Sequence, residues 1–432
     1  MKDIGVGILG FGTVGAGVAD LLLRGNGLLA TRTGVRPVLR AIADVDLDRD
    51  RGVAVDRALL TRDAAAVVDD PRVQVVVELI GGTRIARELT LRALALGKPV
   101  VTANKALLAH HGPEIFAAAR ATGAGVYFEA SVAGGIPIIR ALRQGLGANR
   151  IDRIYGILNG TCNYILTRME EENAPFDDVL RAAQAAGYAE ADPSLDVDGH
   201  DTAHKAAILA TLACGRPVPL ESVRVGGIRQ VSNLDLEYAR ELGYRVKLLA
   251  VVHAGEGCAD VTVGPCLVPL NQLMGQVRDV FNAVLVKGDA VGDTFYHGRG
   301  AGRYPTASAI VGDIADAALR LAVGAPHDDA YAGAPAAPRD AAADPERWYL
   351  RLTLTDRPGM LGRAADILGR HGISIASVVQ REGAAGPHVP VLFLTHRAAP
   401  AAMDAALKDL AALDGAGAAP VCFQIEDLNG KE

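Results

Sequence analysis

A chain of 432 residues is longer than one ordinary hydrophobic core organises, so two or three domains are expected. Half of the residues are hydrophobic and 22% are charged, the composition of a globular protein with ample core material. Lys+Arg 44 against Asp+Glu 50 gives a formal net charge of -6 with no basic block, which argues against nucleic acid as a partner. The cysteines Cys162, Cys214, Cys258, Cys266 and Cys422 are scattered and never spaced C-x-x-C. That argues against a disulfide framework or a thiolate zinc site and fits a reducing compartment. The opening "MKDIGVGILGFGTVG" lacks a signal-peptide layout, and no apolar run is long enough to span a bilayer. A cytoplasmic protein with no membrane contact is expected.

Up to about residue 130, short Val- and Ile-rich runs at 4–9, 37–43, 73–79, 99–102 and 125–129 predict buried strands. Helical patterns separate them, such as 83–96 with Thr83 as N-cap and Gly97 as stop. Strands without polar alternation, separated by helices, predict a parallel sheet covered on both faces. From about 137 to 300, helices at 177–186 and 200–214 mix with alternating runs at 150–157, 244–253, 260–267 and 282–287, predicting an α+β domain. Residues 324–346, "GAPHDDAYAGAPAAPRDAAADPE", have no periodicity and read as a linker. Beyond them, strands at 348–356, 373–381, 389–396 and 420–426 and helices at 358–371 and 400–413 give a β-α-β-β-α-β order, a small ferredoxin-like domain.

Within the first segment, Gly10-Phe11-Gly12-Thr13-Val14-Gly15 is a G-x-G-x-x-G between an apolar strand and an apolar helix at 14–23. That context marks a dinucleotide-binding loop of a Rossmann-type domain. Gly10 permits the tight turn, Gly12 lets backbone approach a pyrophosphate, and Gly15 allows close helix–strand packing, with the helix N-terminus facing the phosphates. Asp44 ends the second strand, where a carboxylate accepts hydrogen bonds from an adenosine ribose. Arg49 and Arg51 follow in a charged segment, so both NAD and NADP remain open, with NAD expected to serve at least as well. Lys105 follows the fourth strand at its carboxyl end, the edge at which open α/β sheets bind ligands.

The stretch "GYAEADPSLDVDGHDTAHKAAIL", residues 187–209, gathers Glu190, Asp192, Asp196, Asp198 and Asp201 ahead of a single lysine, Lys205. On the helix expected at 200–214, Asp201 and Lys205 stand at i and i+4 on one face. The bland interpretation is a solvated helix start, with acids at the positive end of the dipole and a surface ion pair. His200 and His204 share the i, i+4 spacing of H-E-x-x-H zinc hydrolases. Asp201 would then replace the glutamate base, no third ligand is spaced suitably, and the nucleotide loop would go unexplained.

Taken together, these motifs resemble the homoserine dehydrogenases. The glycine loop, "VTANKALLA", "FEASVAGGIPII", "GILNGTCNYIL", the acidic stretch and "GAGRYPTASAIVGD" occur in the same order as in that family, over the first 320 residues. Residues 183–205 match its signature, with Gly187, Asp192-Pro193, Asp196, Gly199, Asp201 and Lys205 each in place. The tail from Trp348, with "DRPGML" in its first loop, resembles the ACT domains that bind amino acids. The resemblance implies NAD(P)-linked interconversion of L-aspartate 4-semialdehyde and L-homoserine, on the route to threonine, methionine and isoleucine, by a homodimer or homotetramer. Position by position it makes Lys205 the proton donor, Glu190 a substrate ligand, and Asp196 and Asp201 acids that shape the substrate site. It places Lys105 beside the nicotinamide and Gly302 as a late glycine returning to the cofactor. It also makes the backbone carbonyls of Glu129, Val132, Gly134 and Ile136 a site for a monovalent cation, Na+ or K+. Two positions depart from the pattern: Val45 stands where NADP-favouring members often carry arginine, and Ala376 where many relatives carry a carboxylate. The division expected is 1–136, with 301–322 returning to it, as cofactor domain, 137–300 as catalytic and dimerisation domain, 323–347 as linker and 348–427 as ACT domain.

The chemistry fits the clustering of acids around a lysine. Reduction of an aldehyde needs a hydride on carbon and a proton on the developing alkoxide, which an ammonium both supplies and stabilises. An amino-acid substrate also brings an ammonium for Glu190 and Asp196 to hold. Its carboxylate suits the loop from Gly156 through Asn159, Gly160 and Thr161. The tail predicts an amino-acid effector, threonine by resemblance, with Asp356-Arg357-Pro358-Gly359 at a helix start suited to a carboxylate. The rival class is a nucleotide-binding sensor without catalysis, which would not need Lys205 with Glu190.

Overall fold

The computed structural model describes residues 2–326, 331, 333–339, 344–381 and 387–428. The first unit follows the expected alternation: β1 (Lys2–Leu9), α1 (Thr13–Thr33), β2 (Val35–Ala43), β3 (Leu60–Thr61), α2 (Ala64–Asp69), β4 (Val75–Glu78), α3 (Arg84–Ala95), β5 (Val100–Thr102), α4 (Lys105–Thr122) and β6 (Val126–Tyr127). These strands form one parallel sheet in the order β3-β2-β1-β4-β5-β6. The order reverses between β1 and β4, so the carboxyl ends of those two strands open the ligand cleft typical of doubly wound sheets. Every residue of β4 is buried, because helices cover both faces and leave no reason for alternation. Helix α1 continues through Gly25 and Gly27 well past the expected end at residue 23 and stops at Gly34, whose φ of 75° supplies the left-handed cap.

The chain then passes through α5 (Ile138–Arg140) and a π-helical turn (Ala141–Gly145) into a mixed region. It continues with β7 (Ile151–Ile157), α6 (Gly160–Glu172), α7 (Phe176–Ala185), α8 (Ser194–Val197), α9 (His200–Cys214), β8 (Arg224–Val225), α10 (Asn233–Glu241), β9 (Tyr244–Gly255), β10 (Cys258–Pro269), α11 (Leu273–Gln276), β11 (Phe281–Gly288), β12 (Gly292–Arg299) and α12 (Arg303–Val323). Helix α12 returns to the first unit and packs on α1. A Cβ at Gly17 would lie 2.8 Å from the Arg303 carbonyl, and Ala307, Ile310 and Ile314 join the core of β1 and β2.

The tail supplies β13 (Ala337–Pro338), β14 (Arg347–Thr355), α13 (Met360–Arg370), β15 (Ile375–Gln380), β16 (His388–Thr395), α14 (Pro400–Ala411) and β17 (Ala416–Ile425). Its four long strands run β17-β14-β16-β15, the ferredoxin-like order, over a core that includes Leu352, Leu368, Phe393 and Met403. They do not stand alone. Strand β17 pairs in parallel with β10 through Cys266↔Gln424 and Leu267↔Ile425, so both regions share one eleven-stranded sheet.

The segment expected as a linker is anchored at a few buried points between exposed residues such as Gly333 and Pro335; 327–330, 332 and 340–343 lie outside the described residues. Tyr331 is buried and stacks on Phe116 with ring centroids 4.5 Å apart. Strand β13 pairs with β10, and Asp344 and Glu346 are buried. One aromatic anchor and a two-residue pairing with β10 tie this segment to the folded units on either side.

Candidate active site

Helix α9 begins at Gly199, whose φ of 88° turns the chain out of α8, and it presents Asp201 and Lys205 on one face as the spacing requires. The bland surface interpretation does not hold: Asp201 is 3% exposed. Its two carboxylate oxygens each hold a lysine. Lys205 Nζ lies 2.6 Å from Oδ2, and Lys105 Nζ, arriving from the first turn of α4, lies 3.0 Å from Oδ1. Lys205 Nζ also donates to the Leu158 carbonyl at 2.7 Å. The lysine at the mouth of the parallel sheet and the lysine of the acidic stretch therefore meet on one carboxylate.

Asn159 braces that carboxylate. Its Nδ2 donates to Asp201 Oδ2 at 2.9 Å and to Asp196 Oδ1 at 2.7 Å, while its Oδ1 caps α6 by accepting from Cys162 N at 2.8 Å. Since α6 begins at Gly160, backbone N–H groups of its first turn, including those of Gly160 and Thr161, have no partner within the helix. The Thr161 hydroxyl donates to the Tyr188 carbonyl at 2.7 Å. Gly156, by contrast, lies inside β7, paired with Ala250 and Val284 on its two flanks, and belongs to the sheet rather than to the open loop. Glu190 is exposed in the loop before α8, near enough for its charge to act on Lys105.

The electrostatics follow from burial and pairing. Burial pushes the Asp201 carboxyl up, but the Lys205 and Lys105 ammoniums outweigh it and hold the group ionised well below the usual carboxylate range. Burial works against the Lys105 ammonium, while Asp201, Asp196 and Glu190 more than compensate and raise its pKa. Asp196 is raised by burial and by the Asp201 charge, against the hydrogen bond from Asn159.

The glycine loop has the geometry of a phosphate cradle. Gly10 has φ of 102°, and a Cβ there would lie 2.5 Å from the Leu79 carbonyl. Gly15 approaches the Gly10 carbonyl so closely that a Cβ would lie 2.1 Å from it. At Gly12, the N-cap of α1, a Cβ would meet nothing within 4 Å, so the open side of the loop faces the cleft at a helix N-terminus without a side-chain cap. Thr13 and Val14 open that helix. Asp44 Oδ2 accepts from Phe11 N at 2.5 Å, tying the strand end to the loop. Arg51 departs from its expected place: its side chain is 8% exposed, lies 3.3 Å from Asp44 Oδ1, and covers the Phe11 ring at 5.1 Å. Val45 beside Asp44 is exposed. Gly302, with φ of 125°, is the N-cap of α12, and Arg303 next to it donates to the Arg51 carbonyl at 2.9 Å.

Glu129, Val132, Gly134 and Ile136 lie together in a buried turn. Ala133 and Gly134 are both left-handed, at φ of 55° and 51°, and a Cβ on Gly134 would lie 2.2 Å from the Gly300 carbonyl. The Glu129 carboxylate accepts from Ile139 N and Arg140 N, leaving its backbone carbonyl as the oxygen it offers here. The Ile136 carbonyl already accepts from Ile138 N at 2.8 Å. For the zinc interpretation, His204 is buried against His110, ring centroids 5.3 Å apart, while His200 is exposed. No group of three or more His, Cys, Asp or Glu among the described residues is placed to hold a metal ion.

Several contributors escaped the sequence. The Leu158 carbonyl carries no side-chain signal at all. Asn104 caps α4 by accepting from Leu107 N at 3.0 Å and donates to the carbonyls of Ile80 and Gly82, which fixes the helix that carries Lys105. Glu78, fully buried at the end of β4, accepts from Thr102 Oγ1 at 2.6 Å and from Ile80 N at 2.8 Å. Burial pushes its carboxyl up to about 7. A lone glutamate closing the run "VVVE" was the available signal.

A parallel sheet with a glycine-loop cleft, a lysine pair on a buried aspartate and an appended ACT module define a nicotinamide-dependent oxidoreductase of amino-acid metabolism. Comparison with known proteins makes this specific. Residues 10–129 match the family model described as "Homoserine dehydrogenase, NAD binding domain", 137–315 "Homoserine dehydrogenase" and 348–415 "ACT domain". A homoserine dehydrogenase of Pseudomonas aeruginosa is 44% identical, covering 99% of this chain and 100% of its own. One of Neisseria gonorrhoeae is 41% identical, covering 96% of each. The crystal structure of a homoserine dehydrogenase from Thiobacillus denitrificans superposes with a TM-score of 0.93 at 44% identity over 99% of both chains. A hyperthermophilic archaeal homoserine dehydrogenase in complex with NADPH matches with a TM-score of 0.62 at 29% identity, covering 74% of this chain and 98% of its own. The chain belongs to the homoserine dehydrogenase family, and its reaction is the NAD(P)-dependent interconversion of L-aspartate 4-semialdehyde and L-homoserine.

Proposed function

We propose that Lys205 delivers the proton to the aldehyde oxygen and that Asp201 orients it. The observation that carries this reading is the shared carboxylate: Asp201 fixes Lys205 at 2.6 Å and Lys105 at 3.0 Å. An ammonium has three N–H donors. Lys205 commits two of them, to Asp201 and to Leu158, and keeps a third for the substrate oxygen. Its proton moves to the alkoxide as the carbonyl π bond breaks, and the lysine returns to the ammonium from solvent. The reduced nicotinamide, when bound, supplies the hydride to the aldehyde carbon. Lys105 stands on the cofactor side of Asp201 and contributes positive charge beside the developing oxyanion. Glu190 and Asp196 hold the substrate ammonium, and the free N–H groups at the start of α6, from Gly160 and Thr161 beside Asn159, hold its carboxylate.

The Gly10–Gly15 loop and Gly302 hold the pyrophosphate, and Asp44 the adenosine ribose. Because Arg51 already lies on Asp44, the carboxylate repels a 2′-phosphate less than an isolated one would. Both cofactors are accepted on this reading, with NAD at least as good as NADP. The carbonyls of Glu129, Val132, Gly134 and Ile136 fit a monovalent cation, Na+ or K+: they are uncharged hard donors in a turn that only glycine at 134 allows. That cation steadies the junction between the cofactor unit, 1–136 with 301–322, and the catalytic unit, 137–300. The assembly is a homodimer or homotetramer in the cytoplasm, serving threonine, methionine and isoleucine synthesis. The ACT module at 348–427 responds to an amino acid, threonine first. The deciding assay mixes purified protein, L-homoserine and either NAD or NADP and follows absorbance of the reduced nicotinamide. Absence of turnover with both would refute the reading.

A further inference from the structure

Glu78 is a buried acid that the proposed chemistry leaves unused. It closes β4 at 0% exposure and pairs in parallel register with Leu9 on β1 and Thr102 on β5, the last rung of these strands before the cleft. Residues in register on parallel strands send their side chains to one face, so the Glu78 carboxylate meets the Thr102 hydroxyl at the sheet's carboxyl edge. For packing alone, an apolar side chain would extend the run Val75-Val76-Val77 at lower cost, because a carboxylate loses its hydration on burial. No lysine or arginine offsets that loss: the partners of the carboxylate are Ile80, Thr102 and Asn104.

Those partners all lie toward the cleft. Oε1 accepts from Ile80 N at 2.8 Å, in the loop from β4 to α3. That loop underlies the glycine loop, where a Cβ on Gly10 would strike the Leu79 carbonyl at 2.5 Å. Oε2 accepts from Thr102 Oγ1 at 2.6 Å, and the same hydroxyl oxygen accepts from Asn104 N at 3.0 Å. The Asn104 amide then reaches back to the carbonyls of Ile80 and Gly82. The loops that follow β4 and β5 are thus one hydrogen-bonded unit around one carboxylate. Lys105 is the next residue, the first of α4. Its side chain is 35% exposed, so packing does not hold it along its length, and its reach to Asp201 Oδ1 at 3.0 Å starts from where that unit sets its backbone.

We propose that Glu78 is a positioning residue for the reaction, acting through Thr102 and Asn104 on the start of α4 and so on the Lys105 ammonium. The proposal rests on the reading of Lys105 as the positive charge beside the developing oxyanion. A charge misplaced by about 1 Å from the reacting atoms can cost about 10²-fold in rate, while ground-state binding of either substrate is little affected. The hydroxyl of Thr102 is the link: without it, Glu78 Oε2 loses its donor and Asn104 N its acceptor.

The test is a double-mutant cycle in the full chain, with homoserine oxidation followed by absorbance of the reduced nicotinamide. Thr102→Val is nearly isosteric and removes the hydroxyl, whereas Thr102→Ser keeps it. Thr102→Val is expected to lower kcat about 10-fold or more, with KM for homoserine and for the cofactor little changed, and Thr102→Ser to stay close to the parent. Glu78→Gln should behave like Thr102→Val, since its amide still accepts from Ile80 but offers the hydroxyl no acceptor. In the Lys105→Ala background, both substitutions should cost little further, because the group they position is gone. Losses that multiply in that background overturn the positioning role and leave the reading of Lys105 standing. Parent-like turnover of Lys105→Ala itself refutes that reading, and the positioning role falls with it. Lower Tm or higher cofactor KM with kcat unchanged also overturns the proposal, since Glu78 then serves only the fold or the cofactor loop. Should Glu78→Gln fail to fold, the Thr102→Val and Thr102→Ser pair, which leaves Glu78 in place, decides.

Discussion

At the scale of single residues, the centre is one carboxylate serving two lysines. Lys205→Ala removes the group placed to protonate the alkoxide and should lower kcat by about 10²–10⁴-fold, the range for losing a general acid, with the fold intact by circular dichroism. Lys105→Ala should leave more activity than Lys205→Ala, because Lys105 is the more exposed of the two and lacks the Leu158 tether. Equal losses in both variants would move the proton donor role to the pair. Half of this site was legible: an aspartate four residues before a lysine on a helix face announces their contact. The contact of Asp201 with Lys105 was not, since no periodicity links positions so far apart in the chain. Arg51 was misjudged for a related reason. A charged segment past a strand reads as solvated, and only the Phe11 ring and the Asp44 carboxylate, brought beside it by the fold, make it pack inward. A further expectation follows for cofactor choice. Asp44→Ala should raise kcat/KM for NADP relative to NAD, and Arg51→Ala should lower it, measured with homoserine saturating. A parent with strong NADP preference and no gain on removing Asp44 would refute the role given to that strand end.

At the scale of elements, α9, α13 and β9 lie close to their expected bounds, while α1 runs well past its expected end and the short or edge pieces left no pattern. Strand β3 has two residues and α2 six, too few for a period to show. Strand β12 is an edge with intermediate to exposed residues and Gly, Asp and Thr in its run, so no apolar alternation marks it. The seam where β17 pairs with β10 is the element-level feature with a measurable pH signature. Burial and the neighbouring Glu346 charge push the Glu426 carboxyl up to about 8. The folded protein thus holds that proton more tightly than the unfolded chain. Stability from this group is greatest at low pH, falls as pH rises past the ordinary carboxyl value near 4.5, and stops falling above about 8. Glu426→Gln should therefore flatten the loss of Tm between pH 5 and pH 8 that the parent shows. An unchanged slope would place the titration elsewhere.

At the scale of the molecule, the ACT module is joined to the catalytic region by more than sequence suggested. A ferredoxin-like order and a Pro- and Ala-rich stretch read as an independent domain on a tether. Instead the module extends the catalytic sheet and completes its core. Asp235, fully buried at the start of α10, accepts from the Tyr349 hydroxyl at 2.7 Å and from Arg351 Nε at 2.6 Å, both on β14. A chain ending at residue 326 leaves Asp235 with its capping bonds from Ser232 and no cation, and strips β13 and β17 from β10. In the full chain, removing Arg351 alone would leave the buried Asp235 charge unpaired at a cost of about 3–5 kcal/mol. The shortened chain should therefore still oxidise homoserine, since Lys205, Asp201, Lys105 and the glycine loop all lie before that point, but melt several degrees lower and lose any response to amino acids. One substitution isolates the cause. Asp235→Asn should destabilise the full chain, where it strands Arg351, and change the shortened one little, where Tyr349 and Arg351 are gone and the amide oxygen can still accept from Ser232. Tm measured for both backgrounds decides the matter, and an equal loss in both would mean that the module stabilises the catalytic region by covering β10 rather than through Asp235.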